Sequence, residues 1–419
     1  MHWETSIVGV HGASRTGPSL VRALAASRAR GPAGVVVMGP GGVHRWTGVA
    51  DAGAEMVLDS LRGTHGVAQL GPRGRADELP GVVVEPDPVY AETQAGPVAI
   101  AMRGGLVGAA EVWERVMAAG ALRRTGADAE LLLQLVGRAD QRTPLNRLVD
   151  ALWSVRGGFA LVAATRDGLV GVRDPRGIVE LYLGSAEGGT VLATEPEAIA
   201  AIGGELLRPV APGEMAVVHD GGIDSVHPFP ERPVTPCVVQ QVRLTGGRGM
   251  IGGRTAWAVR RALGAELARQ QPAAAGDVVV AAPEDAAIAT GAATVWGLSR
   301  LPWDDAAFEE EVPGRAVRLV ASGGGDGGQV RDAVGRLLIA GASAVHVLLA
   351  LPLAERACPY GVQFEPESAA GNLGAASVTV LDGVRLHGVL DSDGWCHGCH
   401  SGTFPEQPTR DEQLGLFDE

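Results

Sequence analysis

Cys237, Cys358, Cys396 and Cys399 are the four cysteines of this 419-residue chain, and the last two form a Cys-x-x-Cys step followed directly by His400. Four thiolates drawn from three distant segments supply the ligand count of a [4Fe–4S] cube. A tetrahedral zinc ion accepts the same Cys₄ set. Cys396-x-x-Cys399-His400 also spells the attachment motif of a c-type haem, and four unligated structural cysteines are the plainest alternative. In a cube with one cysteine per iron, no coordination position is left for a substrate. Such a centre would be structural, redox-active or oxygen-sensing. His397 and His400 sit beside the thiols, as neighbours of the centre or as merely exposed residues.

The elements that must position these thiols change in rhythm along the chain. Ser6-Ile-Val-Gly-Val predicts a strand, Ser19 to Arg30 a helix, and Gly34-Val-Val-Val-Met a second strand. A further strand is expected over 97–102. Helices are expected over Glu111–Ala119 and Asp128–Gly137, the latter with Asp128 as N-cap. Closely spaced strands follow at Phe159, Leu169 and Thr190, which together suggest a layered α+β domain. The proline-rich stretch His227 to Pro236 leads into Cys237 and reads as an inter-domain linker. Beyond it, helix Thr255–Gln270, strand 277–282, strand 316–321, helix Gln329–Ala340 and strand 344–349 alternate as in a parallel doubly wound sheet. The tail from Ala354 reads as irregular, and it carries three of the four cysteines.

Composition narrows the classes of function. Apolar residues make up 46% and charged residues 20% of the chain, enough for packed cores. A net charge of −13 argues against nucleic acid or an anionic membrane as partner. Every basic residue is arginine, so Schiff-base chemistry and lysine contacts to phosphate are unavailable. Met1 to Gly12 lacks the pattern of a signal peptide. The longest apolar runs, such as Val345 to Leu353, are too short to span a bilayer. A reducing cytoplasmic setting is therefore expected, where four cysteines favour metal over disulfides.

Several stretches resemble, in order, the glutamine phosphoribosylpyrophosphate amidotransferase (amidophosphoribosyltransferase) family in its cluster-bearing form. Gly171-Val-Arg-Asp-Pro-Arg-Gly-Ile178 is similar to GVRDPNGI, and Arg208-Pro-Val-Ala-Pro-Gly-Glu-Met215 to RxVxPGEM. Cys358-Pro-Tyr-Gly-Val resembles C-x-YG-[IV], and Cys396-His-Gly-Cys-His-Ser-Gly-Thr-Phe-Pro405 resembles CxxCxxGxYP. Asp411-Glu-Gln-Leu-Gly-Leu-Phe resembles the family's closing residues. The resemblance implies an α+β N-terminal-nucleophile (glutaminase-like) domain over 1–230. An α/β type I phosphoribosyltransferase-like domain with the cysteine-rich tail is implied over 231–419. It also implies that Cys237, Cys358, Cys396 and Cys399 are the cluster ligands.

The catalytic motifs depart from the family pattern. Thr5 stands where the N-terminal cysteine nucleophile would be, and serves in that role only if Met1 to Glu4 are removed. The arginine that holds the glutamine carboxylate has Arg73 as a displaced counterpart. The oxyanion-hole motif HNGNL reads Met102-Arg-Gly-Gly-Leu106, and loss of a side-chain donor there costs about 3 kcal/mol of transition-state binding. Asp128 matches the aspartate that holds the substrate ammonium.

In the second half, Ala321 and Ser322 replace the acidic pair that binds the ribose hydroxyls, and Gly328 and Gln329 replace the phosphate-loop threonines. The pyrophosphate loop PDSG becomes Pro283-Glu-Asp-Ala286. An acidic run from Trp303 to Glu311 occupies the interval of the family's basic lid and would repel a pyrophosphate group. A glycine-rich turn at a helix start still offers amides to an anion, although a plain crossover loop is the blander role.

The expected function is thus an iron–sulfur pseudoenzyme, acting as a regulatory, scaffolding or partner subunit. It would self-assemble or pair with a related enzyme. A repurposed enzyme on the same scaffold and a divergent amidophosphoribosyltransferase of purine synthesis stay open.

Overall fold

Alternation along β1 (Ser6–His11) sends Val8 and Val10 to one side and Ile7 and Gly9 to the other, and all six residues are buried. Such a strand needs a covering layer on each face. The computed structural model describes residues 5–27, 29, 31–60, 63–71, 88–186, 188–251, 253–325, 327–360, 373–391 and 394–406, and in it both layers are present. The chain divides into two units. The first runs through Pro236 and reclaims the stretches that begin at Pro359 and Pro405, while the second runs from Cys237 through Cys358 and closes at Phe404.

After β1, the strands of the first unit are β2 (Ala33–Gly39), β3 (Gly42–Gly48), β4 (His65–Leu70), β5 (Val89–Thr93), β6 (Gly96–Val107) and β7 (Arg156–Thr165). They continue with β8 (Gly168–Arg173), β9 (Tyr182–Ala186), β10 (Gly189–Ala193), β11 (Glu205–Pro209), β12 (Met215–His219) and β13 (Gly222–Val226). One antiparallel sheet has the order β11-β9-β10-β1-β4-β2-β3, and a second has the order β13-β12-β8-β7-β6-β5. Helices α1 (Thr16–Ala25), α2 (Ala52–Asp59) and α6 (Pro196–Ala201) share a core with Val8, Val10, Val35 and Val37 of the first sheet. Helices α3 (Ala109–Ala118), α4 (Asp128–Arg138) and α5 (Pro144–Trp153) share another with Ile100, Met102 and Leu161 of the second.

The two inner faces meet at Gly9, where an added Cβ would lie 2.6 Å from Val162 Cγ1. Only glycine permits that approach. The result is a four-layer helix–sheet–sheet–helix sandwich. Its corner at Asp174 is tied by amides of Arg176, Ile178 and Val179 donating to one carboxylate at 3.0, 3.1 and 3.1 Å. The GVRDPRGI stretch is therefore a turn-forming device.

The second unit opens with a small hairpin, β14 (Met250–Ile251) and β15 (Arg254–Thr255). Helix α7 (Ala256–Gln270) follows, its first turn capped by Thr255 Oγ1, which accepts the Ala258 N–H. Then come β16 (Val278–Val280), α8 (Ala286–Trp296), α9 (Asp305–Glu311), β17 (Ala316–Ala321), α10 (Gly328–Ile339), β18 (Ala344–Leu349) and β19 (Ser377–Val380). The four strands form a parallel sheet in the order β16-β17-β18-β19. Val278, Leu319, Val345 and Val347 pack with Phe308 and Leu337 in its core.

Two local expectations are corrected. The first helix spans Thr16–Ala25 rather than Ser19–Arg30, because Pro18 suits its first turn. The tail beyond Ala354 is not wholly irregular: it contributes β19, α11 (Gly383–Leu390) and the short α12 (Gly398–Ser401). Strand β19 is stabilised by pairing with β18, distant in sequence, so its local pattern is weak.

Candidate functional site

Four thiols from three segments are drawn together within the second unit. Cys237 and Cys396 form a parallel bridge, with Val238 N–H donating to Cys396 O at 3.2 Å. The Gln240 amide donates to Cys237 Sγ at 3.4 Å, at the start of a π-helical turn, Gln240–Leu244. Cys399 lies in α12, and its carbonyl accepts the amides of Glu355 (3.0 Å) and Arg356 (3.2 Å), which anchors the segment leading to Cys358.

None of the four cysteines forms a disulfide; Cys358 is partly exposed and the other three are buried. Burial pushes the Cys237 thiol well up, and charge on Cys396, Cys358 and Cys399 pushes it further. Cys399 is pushed up to about 12, first by burial and then by Cys358 and Cys396. Cys396 is raised by burial as well. Without a cation these groups hold their protons, so they are poor nucleophiles.

Among the described residues, no group of three or more His, Cys, Asp or Glu side chains is arranged to hold a metal ion. The thiols act electrostatically on one another. The flanking histidines are partly buried. His397 stacks on His387 with centroids 5.1 Å apart, and His400 Nδ1 lies 3.2 Å from Leu353 O.

In the first unit, Thr5 is buried at the entrance to β1, and a Cβ on Gly71 would come within 2.8 Å of its hydroxyl. Residues 1–4 and Arg73 lie outside the described residues. The stretch Met102–Leu106 on β6 is committed to internal bonds. Met102 N–H donates to Gln69 Oε1 at 3.0 Å, and Leu106 N–H donates to Asp128 Oδ2 at 2.8 Å. Asp128 is therefore not the N-cap expected of it: Ala127 holds that position, and the carboxylate reaches across to β6. Arg103, which replaces the asparagine of HNGNL, is buried and pairs with Glu195 at 3.6 Å.

In the second unit the loops after β16 and β17 enclose a cavity of about 260 Å³, beyond the carboxyl ends of parallel strands, where such sheets place ligands. The loop after β17 turns through positive φ at Gly323, Gly324 and Gly327. At Gly323 a Cβ would strike Leu351 O at 2.0 Å, so the glycine is required by the turn. Arg243 rests against Gly325 and donates to Gln329 Oε1 at 2.8 Å.

Asp285 lies on the cavity wall with its carboxyl raised to about 6, by burial first; bonds from Ser322 oppose the rise, Glu284 adds to it, and Arg243 opposes it. Its folded value stands above the ~3.9 of an unfolded chain. The associated stability is fully present below about pH 4 and is lost as the pH rises through about 6, a change of roughly 3 kcal/mol. The stability difference between wild type and Asp285→Asn, read by urea unfolding at pH 4.5 and 7.5, should fall by much of that amount across the window.

No motif carries the Arg103–Glu195 pair or the place of Asp285 on the cavity wall. The available signal was a charged residue at an inward position of an otherwise apolar strand, and an acid where a phosphate loop prefers a hydroxyl.

Residues 83–201 match the family model described as a glutamine amidotransferase domain. Along 98% of its length the chain is 25% identical to amidophosphoribosyltransferase 2, chloroplastic, of Arabidopsis thaliana, covering 80% of that protein. Two solved structures share the fold at 22% sequence identity. One, titled as the allosteric regulatory enzyme of purine biosynthesis, superposes with a TM-score of 0.86 over 98% of this chain and 97% of that one. The other is glutamine phosphoribosylpyrophosphate amidotransferase from B. subtilis complexed with ADP and GMP, with a TM-score of 0.84 over 97% of this chain and 98% of that one.

Proposed function

We propose, on the premise that this chain is a divergent homologue of the amidophosphoribosyltransferases with their glutaminase and type I phosphoribosyltransferase folds, that it is a cluster-binding pseudoenzyme. The observation that carries this reading is Arg103. Where the family aims an asparagine amide at a developing oxyanion, this chain buries a guanidinium against Glu195. A cation consumed by an internal ion pair offers little to an oxyanion, and the neighbouring amides of Met102 and Leu106 are bonded elsewhere.

The transferase half supports the same reading. Ala321 and Ser322 supply no carboxylate for ribose hydroxyls, while Glu284 and Asp285 put acid where pyrophosphate would sit. Cys237, Cys358, Cys396 and Cys399 would hold a [4Fe–4S] cluster, with zinc as the alternative occupant. Once bound, a cluster supplies rigidity, one-electron redox chemistry or sensitivity to oxygen. The chain's own residues provide the four thiolates and the amide of Gln240 on Cys237, and buried surroundings exclude water from three of the sulfurs. A protein without chemistry of its own acts through assembly, with copies of itself or with a related enzyme. No helix among the described residues is long and apolar enough to cross a membrane.

The test is anaerobic purification of the full chain with iron, sulfide and zinc quantified, intact mass determined, and glutamine hydrolysis and phosphoribosyl pyrophosphate consumption assayed. About four irons per chain with neither activity is expected. Turnover of either substrate, or a mature chain that starts at Thr5 and hydrolyses glutamine, would overturn the proposal.

A further inference from the structure

The cavity of the second unit persists although its family motifs are gone, and its lining carries three acids, Glu284, Asp285 and Asp332, against two arginines, Arg243 and Arg336. Both lining arginines are engaged: Arg243 bonds Gln329, while Arg336 bonds Asp305 and lies 4.8 Å above the Trp303 ring centroid. Asp285 is nine-tenths buried and its partner is the uncharged Ser322; Glu284 and Asp332 stand at the exposed rim. Trp303, Leu319, Val330 and Leu353 add apolar wall. A carboxylate at the base of an apolar cleft, with acids around the mouth, raises the local concentration of cations and repels phosphates.

We propose that this cavity binds a small, non-phosphorylated organic cation, an amine or amidinium on a compact apolar body, with Asp285 as its counter-charge. The proposal rests on the reading that the pocket no longer serves phosphoribosyl transfer. At about 260 Å³ it lies below the ~300–1,000 Å³ of drug-sized sites, so a ligand of about ten non-hydrogen atoms fits. The apolar body stacks along Trp303 and the aliphatic wall, while the cation meets Asp285 in a low-dielectric recess where the pairing gains strength. The groups that face Asp285 are Glu284 beside it, Arg243 from the π-helical turn, Ser322 from the loop after β17, and Asp332 and Arg336 from α10.

Benzamidine, benzoate and phosphoribosyl pyrophosphate would each be titrated calorimetrically into the metal-loaded full chain. Benzamidine is expected to bind at least about tenfold more tightly than its isosteric anion benzoate, and phosphoribosyl pyrophosphate not at all. Asp285→Asn should weaken benzamidine by at least about tenfold, and lowering the pH from 7.5 to 5 should weaken it similarly as the carboxylate takes up a proton. Glu284→Gln, at the exposed rim, should weaken it about twofold while leaving the fold untouched, so a folding defect in the first variant does not decide the matter.

Benzoate binding as tightly, no benzamidine heat at ~10 mM (a Kd weaker than that of millimolar ligands), or an unchanged Asp285→Asn would each overturn the proposal. Phosphoribosyl pyrophosphate binding without turnover would overturn it and leave the pseudoenzyme reading intact. Its turnover would overturn that reading as well.

Discussion

Glu195→Ala is expected to destabilise the first unit by about 3–5 kcal/mol, because it removes the carboxylate that faces the buried Arg103 guanidinium at 3.6 Å. The cost comes from an uncompensated buried charge rather than from the pair itself, whose attraction is largely offset by desolvation. A double variant, Arg103→Met with Glu195→Leu, should therefore recover most of the loss. Urea unfolding followed by circular dichroism on the metal-loaded chain would read both. If the pair were solvated, the single change would stay within about 0.5 kcal/mol, as surface substitutions do. Arg103→Asn alone is not expected to restore glutamine hydrolysis, since it leaves Thr5 in place of the nucleophile and removes the ion pair to the buried Glu195.

Cys237→Ser should abolish the metal centre: iron should fall from about four per chain to near zero, with loss of the visible iron–sulfur absorbance. The backbone bridge between Cys237 and Cys396 survives the change to serine, so what is lost between these two segments is the shared metal ligation. The hydrophobic core around β16 to β18 contains none of the cysteines, so the sheet should stay folded while α12 and the Gln240–Leu244 turn become sensitive to protease. Cys237, Cys396 and Cys399 all have raised thiols in the metal-free chain, so each gives up its proton on ligation and the affinity for added zinc should rise with pH. Zinc at one per chain would assign the site to a mononuclear ion. Retention of iron in Cys237→Ser would remove this residue from the ligand set.

Much of the architecture was legible before any coordinates. Ser6–His11, Gly34–Met38 and the run at 316–321 are short apolar segments bounded by turn residues, and they are strands because burial on both faces rewards that pattern. The change of rhythm after Pro236 marked the passage from antiparallel layers to a parallel sheet, since βαβ alternation imposes parallel pairing. The order of Cys237, Cys358, Cys396 and Cys399 and the altered catalytic motifs were likewise matters of residue type and spacing.

Other features existed only in three dimensions. Arg103 and Glu195 are 92 positions apart in the sequence and meet because β6 and the end of β10 face each other across the sandwich. Asp128 had the local pattern of a helix cap, but its carboxylate accepts the Leu106 amide because β6 passes beside α4. By residue type Asp285 belongs to a lost phosphate loop, whereas the fold bonds it to Ser322, from the next strand's loop, on the wall of a surviving cavity. Local sequence specifies backbone conformation through sterics and hydrophobic period, which act over a few residues. Which buried charges find partners, and which loops enclose a cavity, depends on contacts between segments far apart in the chain, and only packing brings those together.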